Sequence, residues 1–425
     1  MALRSANKGC EEWTPSRIRV LETQDFEQRS PGTVVQDFET LLSLMGDQGL
    51  PVTPSHLLAI KSLETINRSL THPLELGLKR AVQKSYPPIN GLYLLLRATG
   101  LALIDANLKK LRLKLDSQLM ESWRSLNAAE RYFALLKAWW GRATEEIIGE
   151  RGEGRGEILA KTLAFIESFP KTGILTVEAP QDAERFRYRP GLYNLALLEL
   201  FGLLEIRLGS LAEGRAWRPE LMRMTDWGKA LLGSYADFLR QSPDEEDGST
   251  PPMLDFMALL QPLACFESWT QTMRPHIQGW RKDLEIPEPP FQPGPHLFKV
   301  SLGAGCWRRI AIGGDASLEE LAATILDAFS FDPDHLYRFS YKDRFGRSVE
   351  IHHPYSAGDF DSASAAEVTV GDLPLYQGMR IGFLFDFGDQ WDFDIQTENV
   401  NVDSMIGKPQ VLERHGEAPE QYGGW

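Results

Sequence analysis

The chain has 425 residues, of which 43% are hydrophobic and 24% are charged, and this ordinary globular composition excludes a largely disordered protein. Such a length is too great for one ordinary core, so we expect two to four domains. The sequence has no long apolar run, no apolar leader and only three dispersed cysteines, which excludes a membrane-spanning, secreted or disulfide-rich class and predicts a cytoplasmic protein.

The net charge of −14 is unevenly distributed along the chain. Residues 51–142 contain 14 Lys and Arg against 6 Asp and Glu, whereas residues 295–425 contain 10 against 21. Charges of opposite sign in two parts of one chain indicate a different partner for each part. The basic part is the candidate surface for a polyanion such as DNA.

The first two predicted segments are a helical stretch in residues 1–50 and a module in residues 51–148. In the module, Thr53-Pro54 predicts a first helix start, and an apolar helix, INGLYLLLRATG, ends at Gly100. The pattern then switches to period two, which predicts a hairpin, and SLNAAERYFALLKAWW from Ser125 predicts an amphipathic helix. This order of elements is typical of a winged helix-turn-helix module.

The predicted hairpin has a basic face, because lysine and arginine alternate there with leucine. Cations along such a wing commonly contact DNA phosphates, and an arginine on the preceding helix joins them. The alternative is an ordinary solvated edge whose lysines discourage strand pairing. The candidate nucleic-acid-binding residues are Arg97, Lys109, Lys110, Arg112 and Lys114.

The same order of elements returns in residues 149–241. The stretch LALLELFGLLEIR repeats LYLLLRATGLALI, since in both an apolar helix meets a glycine and continues as a strand. Both segments resemble the winged-helix modules common in bacterial proteins, and this resemblance implies binding of DNA or protein. Residues 242–293 are predicted to be an acidic and Pro-rich linker with a helical segment.

The last segment, residues 294–425, alternates between strand-like stretches and one amphipathic helix. That helix, ASLEELAATILDAFSF, has Ser317 as its N-cap and Glu320 at the third position of a capping box. The order of elements predicts an α+β domain with an antiparallel sheet. The predicted fold is therefore multidomain, with a mainly α N-terminal part of two winged-helix-like modules followed by this acidic α+β domain.

Several motifs of the last segment resemble the plasmid open-reading-frame-three family, first named from an Ri plasmid and also found as passenger proteins of insertion elements. The resemblance implies a link to mobile elements but no established activity. The family's hairpin histidine falls on Phe393 here, and its tail cysteines are absent. The matching motifs are Trp307-Arg308-Arg309-Ile310, Ser317-Leu318, His335-Leu336 with Phe339, Phe385-Asp386-Phe387-Gly388-Asp389-Gln390-Trp391, Ile395, and Pro419-Glu420-Gln421-Tyr422-Gly423-Gly424.

The motif FLFDFGDQWDFDI predicts a hairpin with a carboxylate-rich face. A three-residue loop, Gly388-Asp389-Gln390, would oppose Phe387 to Trp391 and bring every large side chain to one buried face. It would also oppose two aspartates, which needs a cation, a basic neighbour or water to offset the repulsion. Carboxylates suit Mg²⁺ or Ca²⁺, whereas the alternative is a solvated strand face. The candidate metal residues are Asp386, Asp389, Asp392 and Asp394.

These patterns predict a non-enzymatic binding protein, with DNA or a protein as partner and with no catalytic residues and no resident cofactor. The alternative is a metal-dependent hydrolase or nuclease that uses the carboxylate face of Asp386 and Asp392 with Mg²⁺ or Ca²⁺. No P-loop, zinc-protease or serine-nucleophile motif favours another chemistry. The sequence does not indicate an oligomeric state.

Overall fold

The computed structural model describes residues 14–27, 29–105, 111–151, 156–177, 184–209, 217–240, 261–303, 305–356, 363–401 and 408–422. The chain forms two compact units. The first consists of Met1–Asp105 together with Lys110–Ile286, and the second contains Pro287–Trp425. The boundary between them falls in the Pro-rich stretch after Ile286. In the described ranges, no helix has the length and apolar content needed to cross a membrane.

One hydrophobic cluster extends through the whole first unit, from Leu21 to Leu284. Described residues of all four predicted segments, 1–50, 51–148, 149–241 and 242–293, therefore share one core. Its helices are α1 Pro15–Thr23, α2 Val34–Met45, α3 Ile60–Ser69, α4 Pro87–Ala98, α5 Ser117–Arg124, α6 Ala128–Lys137, α7 Glu157–Glu167, α8 Leu192–Leu200, α9 Asp226–Arg240 and α10 Pro262–Met273. Its strands are β1 Leu50–Pro51, β2 Ala102–Asp105, β3 Arg112–Leu115, β4 Ile174–Thr176, β5 Leu204–Leu208 and β6 Pro219–Met224.

Two predicted helix starts are wrong. Helix α3 begins at Ile60 and not at Thr53, because the Thr53 hydroxyl accepts the Leu57 N–H and closes a local turn. Helix α6 is capped by Asn127 rather than Ser125, since the Asn127 side chain accepts the Glu130 N–H at 3.0 Å and the Glu130 carboxylate accepts the Asn127 N–H at 2.9 Å.

The sequence repeat is also a structural repeat. Helix α4 is followed by Gly100 and then by β2, and helix α8 is followed by Gly202 and then by β5. Both glycines have positive φ, +74° and +70°, which favours glycine at a helix end. Each repeat contributes a three-stranded antiparallel sheet in which the last strand lies between the other two, in the orders β1–β3–β2 and β4–β6–β5.

Helices α4 and α8 pack against each other inside the first unit. Every residue of α4 is buried, and a Cβ placed on Gly91 would lie 2.8 Å from Leu197 Cγ. The two helix axes can therefore approach closely at Gly91, where no side chain separates them. In each repeat, the helix that precedes the terminal hairpin is covered by its counterpart in the other repeat.

Buried hydrogen bonds join the two repeats in addition to this apolar contact. The Tyr132 hydroxyl donates to the Phe201 carbonyl at 2.8 Å and accepts from Trp227 Nε1 at 2.8 Å. Trp139 Nε1 donates to Asn194 Oδ1 at 2.6 Å. Because a buried polar group left without a partner is costly, these bonds specify one arrangement of the repeats.

In its described ranges the second unit has one eight-stranded sheet and one α-helix, α11 Leu318–Phe329. Ser317 and Glu320 form the predicted capping box at its start. The strand order is β11–β10–β9–β12–β13–β7–β8–β14, and every pair is antiparallel except β10 with β11. The strands are β7 His296–Leu302, β8 Trp307–Ile312, β9 Tyr337–Lys342, β10 Ser348–His352, β11 Ala363–Ser364, β12 Arg380–Phe385, β13 Trp391–Asn399 and β14 Gln410–His415.

The two arginines of the Trp307-Arg308-Arg309 motif stabilise this sheet from different sides. Arg308 is buried and donates to the carbonyls of Ala328 and His415, both at 2.9 Å, which ties the end of α11 to β14. Arg309 pairs with Glu398 at 2.7 Å and also with Glu413. Both guanidinium groups are therefore engaged with the protein itself.

Candidate functional site

The predicted basic surface does not form one open patch in the described residues. Arg97 is only 6% exposed, because it lies on the buried helix α4. The Arg112 guanidinium donates to the carbonyls of Gln48 and Gly49 at 2.6 and 2.5 Å, and Lys114 lies 2.9 Å from Asp105. Arg97, a candidate nucleic-acid-binding residue, is therefore buried rather than accessible at the surface of the first unit. Lys109 and Lys110 lie outside the described residues.

The hairpin of the second unit has a different register from the predicted one. Phe385, not Phe387, lies opposite Trp391, so five residues connect β12 to β13 instead of three. Asp386 adopts a left-handed conformation with φ of +56°, and its carboxylate accepts the Gly388 N–H at 2.8 Å. This turn takes Phe387 away from the buried face and leaves it 41% exposed.

The new register removes the predicted repulsion between aspartates. Asp392 lies opposite Leu384, while Asp394 lies opposite Gly382 and pairs with Arg380. In the described part of the chain, no group of three or more His, Cys, Asp or Glu side chains is arranged to hold a metal ion. We therefore find no structural support for a metal centre at the four predicted aspartates.

Three distant segments meet at the end of the sheet where this turn lies, and we call their meeting residues, Asp334, His335, Asp386, Phe387 and Tyr422, the motif cluster. His335 Nε2 is 3.4 Å from Asp386 Oδ2 and 3.6 Å from Asp334 Oδ1. The Tyr422 hydroxyl donates to Asp334 Oδ2 at 2.5 Å. The start of β9, the end of β12 and the C-terminal tail are thus joined by polar side chains.

The hydrogen bond between Tyr422 and Asp334 keeps the carboxylate ionised. It lowers the pKa of Asp334 below its usual value and raises the pKa of Tyr422 to about 12. Gln421 supports this pair, because its Nε2 donates to the Asp332 carbonyl at 3.1 Å while its Oε1 accepts the Asp332 N–H at 2.6 Å. At neutral pH the cluster therefore presents a negative charge beside a protonated phenol.

Apolar side chains stay accessible around these carboxylates. Leu336, Phe387 and Tyr422 are 38%, 41% and 57% exposed. The Asp386 N–H donates to the Leu336 carbonyl at 3.0 Å, which places the apolar side chains close to the charged ones. Exposed aromatic rings beside carboxylates can bind a cation and its aliphatic stem together.

Only part of this cluster is predicted from the sequence. Asp386 is a candidate metal residue, whereas His335 and Tyr422 occur only within the motifs that match the family. Asp334 received no role. The available signal was that three of the matching motifs combine polar with aromatic residues, a composition that suits a binding surface.

One comparison with known proteins covers this region. Residues 299–425 match the family model described as Plasmid pRiA4b ORF-3-like protein, which confirms the predicted resemblance of the C-terminal part. Among solved structures, the chain is similar to the protein of unknown function MM3350 from Methanosarcina mazei Go1, with 20% identity, 32% of this chain and 76% of that chain covered, and a TM-score of 0.27. No curated protein matches the chain.

Proposed function

We propose that this protein is a non-enzymatic binding protein whose second unit captures a basic segment of a protein partner at the motif cluster. The observation that carries the proposal is the exposure of Phe387, Tyr422 and Leu336 around two carboxylates, Asp334, whose pKa is lowered by the hydrogen bond from Tyr422, and Asp386. The excess of acidic residues in 295–425 favours a positively charged partner.

The chemistry of the cluster fits an arginine or lysine side chain. The Asp386 side chain is only 14% exposed, so a charge-assisted hydrogen bond to it is partly shielded from water. The rings of Phe387 and Tyr422 can cover the aliphatic stem and add a cation–π contact. The Arg338 guanidinium lies 6.0 Å from the Phe387 ring centroid, at the outer limit of a cation–π contact.

We further propose that the first unit consists of two winged-helix modules that contact protein rather than read DNA bases. The order of elements from α2 to β3, and the placing of the last strand in the middle of each small sheet, support this assignment. A winged helix that reads bases inserts the helix before its hairpin into the major groove. Here that helix is α4 or α8, and each is covered by the other.

A binding measurement with charge-neutralised variants tests the proposed site. The full chain is titrated into a fluorescein-labelled peptide of three Arg-Leu-Gly repeats, and fluorescence anisotropy reports the affinity. We expect Asp386→Asn and Asp334→Asn each to weaken binding about tenfold, because each removes one ionic hydrogen bond. Asparagine can keep the turn at residue 386, since it tolerates the left-handed conformation.

The matched control is Asp392→Asn, which removes the same charge from the same hairpin at an exposed position outside the cluster. Its affinity should stay within about twofold of the unsubstituted protein, since an exposed charge outside the cluster is largely screened by water and salt. Equal weakening by all three substitutions would mean that only the overall negative charge attracts the peptide, and the proposed site would then be rejected.

A further inference from the structure

A cavity of about 1230 Å³ lies in the first unit, at the place where helices α4 and α8 begin. Its walls come from both repeats, because Lys84 and Asn90 lie on one side and Arg189 and Tyr193 on the other. The junction of two modules is a common position for small-molecule sites. The motif cluster belongs to the other unit, so this cavity requires its own explanation.

The buried part of the cavity wall holds a closed network of polar side chains. The Glu145 carboxylate accepts from the Tyr193 hydroxyl at 2.7 Å and from Lys161 Nζ at 2.9 Å, and Lys161 also pairs with Glu157. Burial lowers the pKa of Lys161, but its bonds to the two carboxylates outweigh this and raise it. Burial and the nearby Glu145 raise the pKa of Tyr193.

These pKa directions show what the network can do. A lysine with a raised pKa keeps its proton at neutral pH, and so does a tyrosine with a raised pKa. A lysine or tyrosine that acts as a base or nucleophile needs a lowered pKa. Neither Lys161 nor Tyr193 is therefore suited to that role. The cavity is suited to binding rather than to chemistry.

The charge balance of the walls favours an anion. Five lysines and arginines line the cavity against three glutamates, and all three glutamates are paired with lysines, since Glu150 lies 3.3 Å from Lys84. Two exposed arginines of the wall, Arg151 and Arg189, have no carboxylate partner within the ranges that the structure describes. Their guanidinium groups supply forked donors that match phosphate or carboxylate.

We propose that this cavity binds a small organic anion, a phosphorylated or carboxylated molecule with an apolar body. Arg151 and Arg189 receive the charged group, and the apolar body contacts Val82, Tyr188 and Leu192, which also line the cavity. Tyr188 is 75% exposed and Val82 is 41% exposed, so both offer apolar surface that a ligand can cover.

Three probes with one common ring system test the proposal on the full chain: 2-naphthyl phosphate, 2-naphthoate and the neutral 2-naphthol. Isothermal titration calorimetry should show one saturable site for at least one anion, with an affinity about tenfold or more above that of 2-naphthol. Tighter binding of the phosphate identifies a phosphorylated ligand, and equal or tighter binding of naphthoate identifies a carboxylate. Absence of saturation by both anions, or equal binding of 2-naphthol, overturns the proposal.

Substitutions locate the site. Arg151→Ala and Arg189→Ala should each weaken anion binding about tenfold and leave 2-naphthol unaffected. The matched control is Arg68→Ala, an exposed arginine of α3 that lies outside the cavity wall and should leave binding unchanged. If Arg68→Ala weakens binding as much, the anion is held by surface charge alone and the cavity is not its site. Thermal unfolding of each variant verifies that the fold is kept.

Discussion

Gly202→Ala is expected to lower the free energy of unfolding of the first unit by about 3 to 5 kcal/mol. Gly202 has φ of +70°, and a Cβ at this position would lie 1.8 Å from the Pro31 carbonyl oxygen and 2.4 Å from its carbon. Both atoms belong to the backbone, so no side-chain rotation can relieve the overlap. The segment before α2 would have to leave the end of α8, which exposes part of the shared core. Chemical denaturation followed by tryptophan fluorescence measures the loss.

Gly303→Ala is the matched control for backbone conformation. Gly303 has φ of +67°, but no heavy atom lies within 4 Å of the position of an added Cβ. Its substitution should cost the second unit only about 1 kcal/mol, the ordinary penalty of a left-handed alanine. Equal destabilisation by the two substitutions would mean that φ alone matters and that Pro31 does not pack against Gly202 as described.

Glu199→Gln is expected to stabilise the first unit at pH 8 by about 3 kcal/mol and to have little effect at pH 4. Burial raises the pKa of Glu199 from 4.5 to about 7, although a hydrogen bond from the Ile206 N–H opposes part of this shift. Between these values the folded protein keeps a proton that the unfolded chain loses. The stability due to Glu199 is therefore fully present below pH 4.5 and is lost as the pH rises through about 7. Glutamine does not ionise, so the variant does not lose this stability as the pH rises.

Urea denaturation at half-unit steps between pH 4 and pH 8 measures this effect. The matched control is Glu205→Gln, which removes an exposed carboxylate that pairs with Arg223 on the neighbouring strand. It should keep the pH dependence of the unsubstituted protein and change stability by less than about 1 kcal/mol. If Glu199→Gln shows the same fall in stability with pH as the unsubstituted protein, another group titrates there and Glu199 is not held neutral by burial.

Local patterns in the sequence predicted several elements correctly for identifiable reasons. The helix–glycine–strand repeat indicated Gly100 and Gly202, because a glycine after an apolar helix is the usual residue for a positive φ. Ser317 and Glu320 indicated the start of α11 through the spacing of a capping box. These features depend on residues three or four positions apart, so the sequence contains all the information they need.

The register of the β12–β13 hairpin could not be chosen from the apolar pattern. A shift of two residues returns every side chain to the same face, so the predicted and observed registers both bury Phe383, Phe385 and Phe393. The difference lies in the turn, where Asp386 adopts a left-handed conformation and its carboxylate accepts hydrogen bonds from the N–H groups of Gly388 and Asp389. That choice between loop lengths is decided by turn geometry rather than by hydrophobicity.

The sequence of α4 indicates that the helix is buried, although it contains the charged residue Arg97. Helix α4 is apolar on nearly every side, and a helix without a polar face is usually buried all round. The motif cluster had no comparable signal, because Asp334, Asp386 and Tyr422 are brought together by a strand order in which β9 lies beside β12. Contacts between such distant segments depend on the whole sheet and not on local spacing.

Hydrogen–deuterium exchange of the full chain tests most directly whether the motif cluster binds a basic protein segment. The protein is compared alone, with the Arg-Leu-Gly peptide, and with a duplex DNA of mixed sequence at the same concentration and salt. We expect the peptide to protect the backbone around His335 and around Asp386 to Gln390, and the DNA to protect neither these segments nor Arg112–Leu115. Protection of Arg112–Leu115 by DNA, with the motif cluster left unprotected by the peptide, would contradict this expectation.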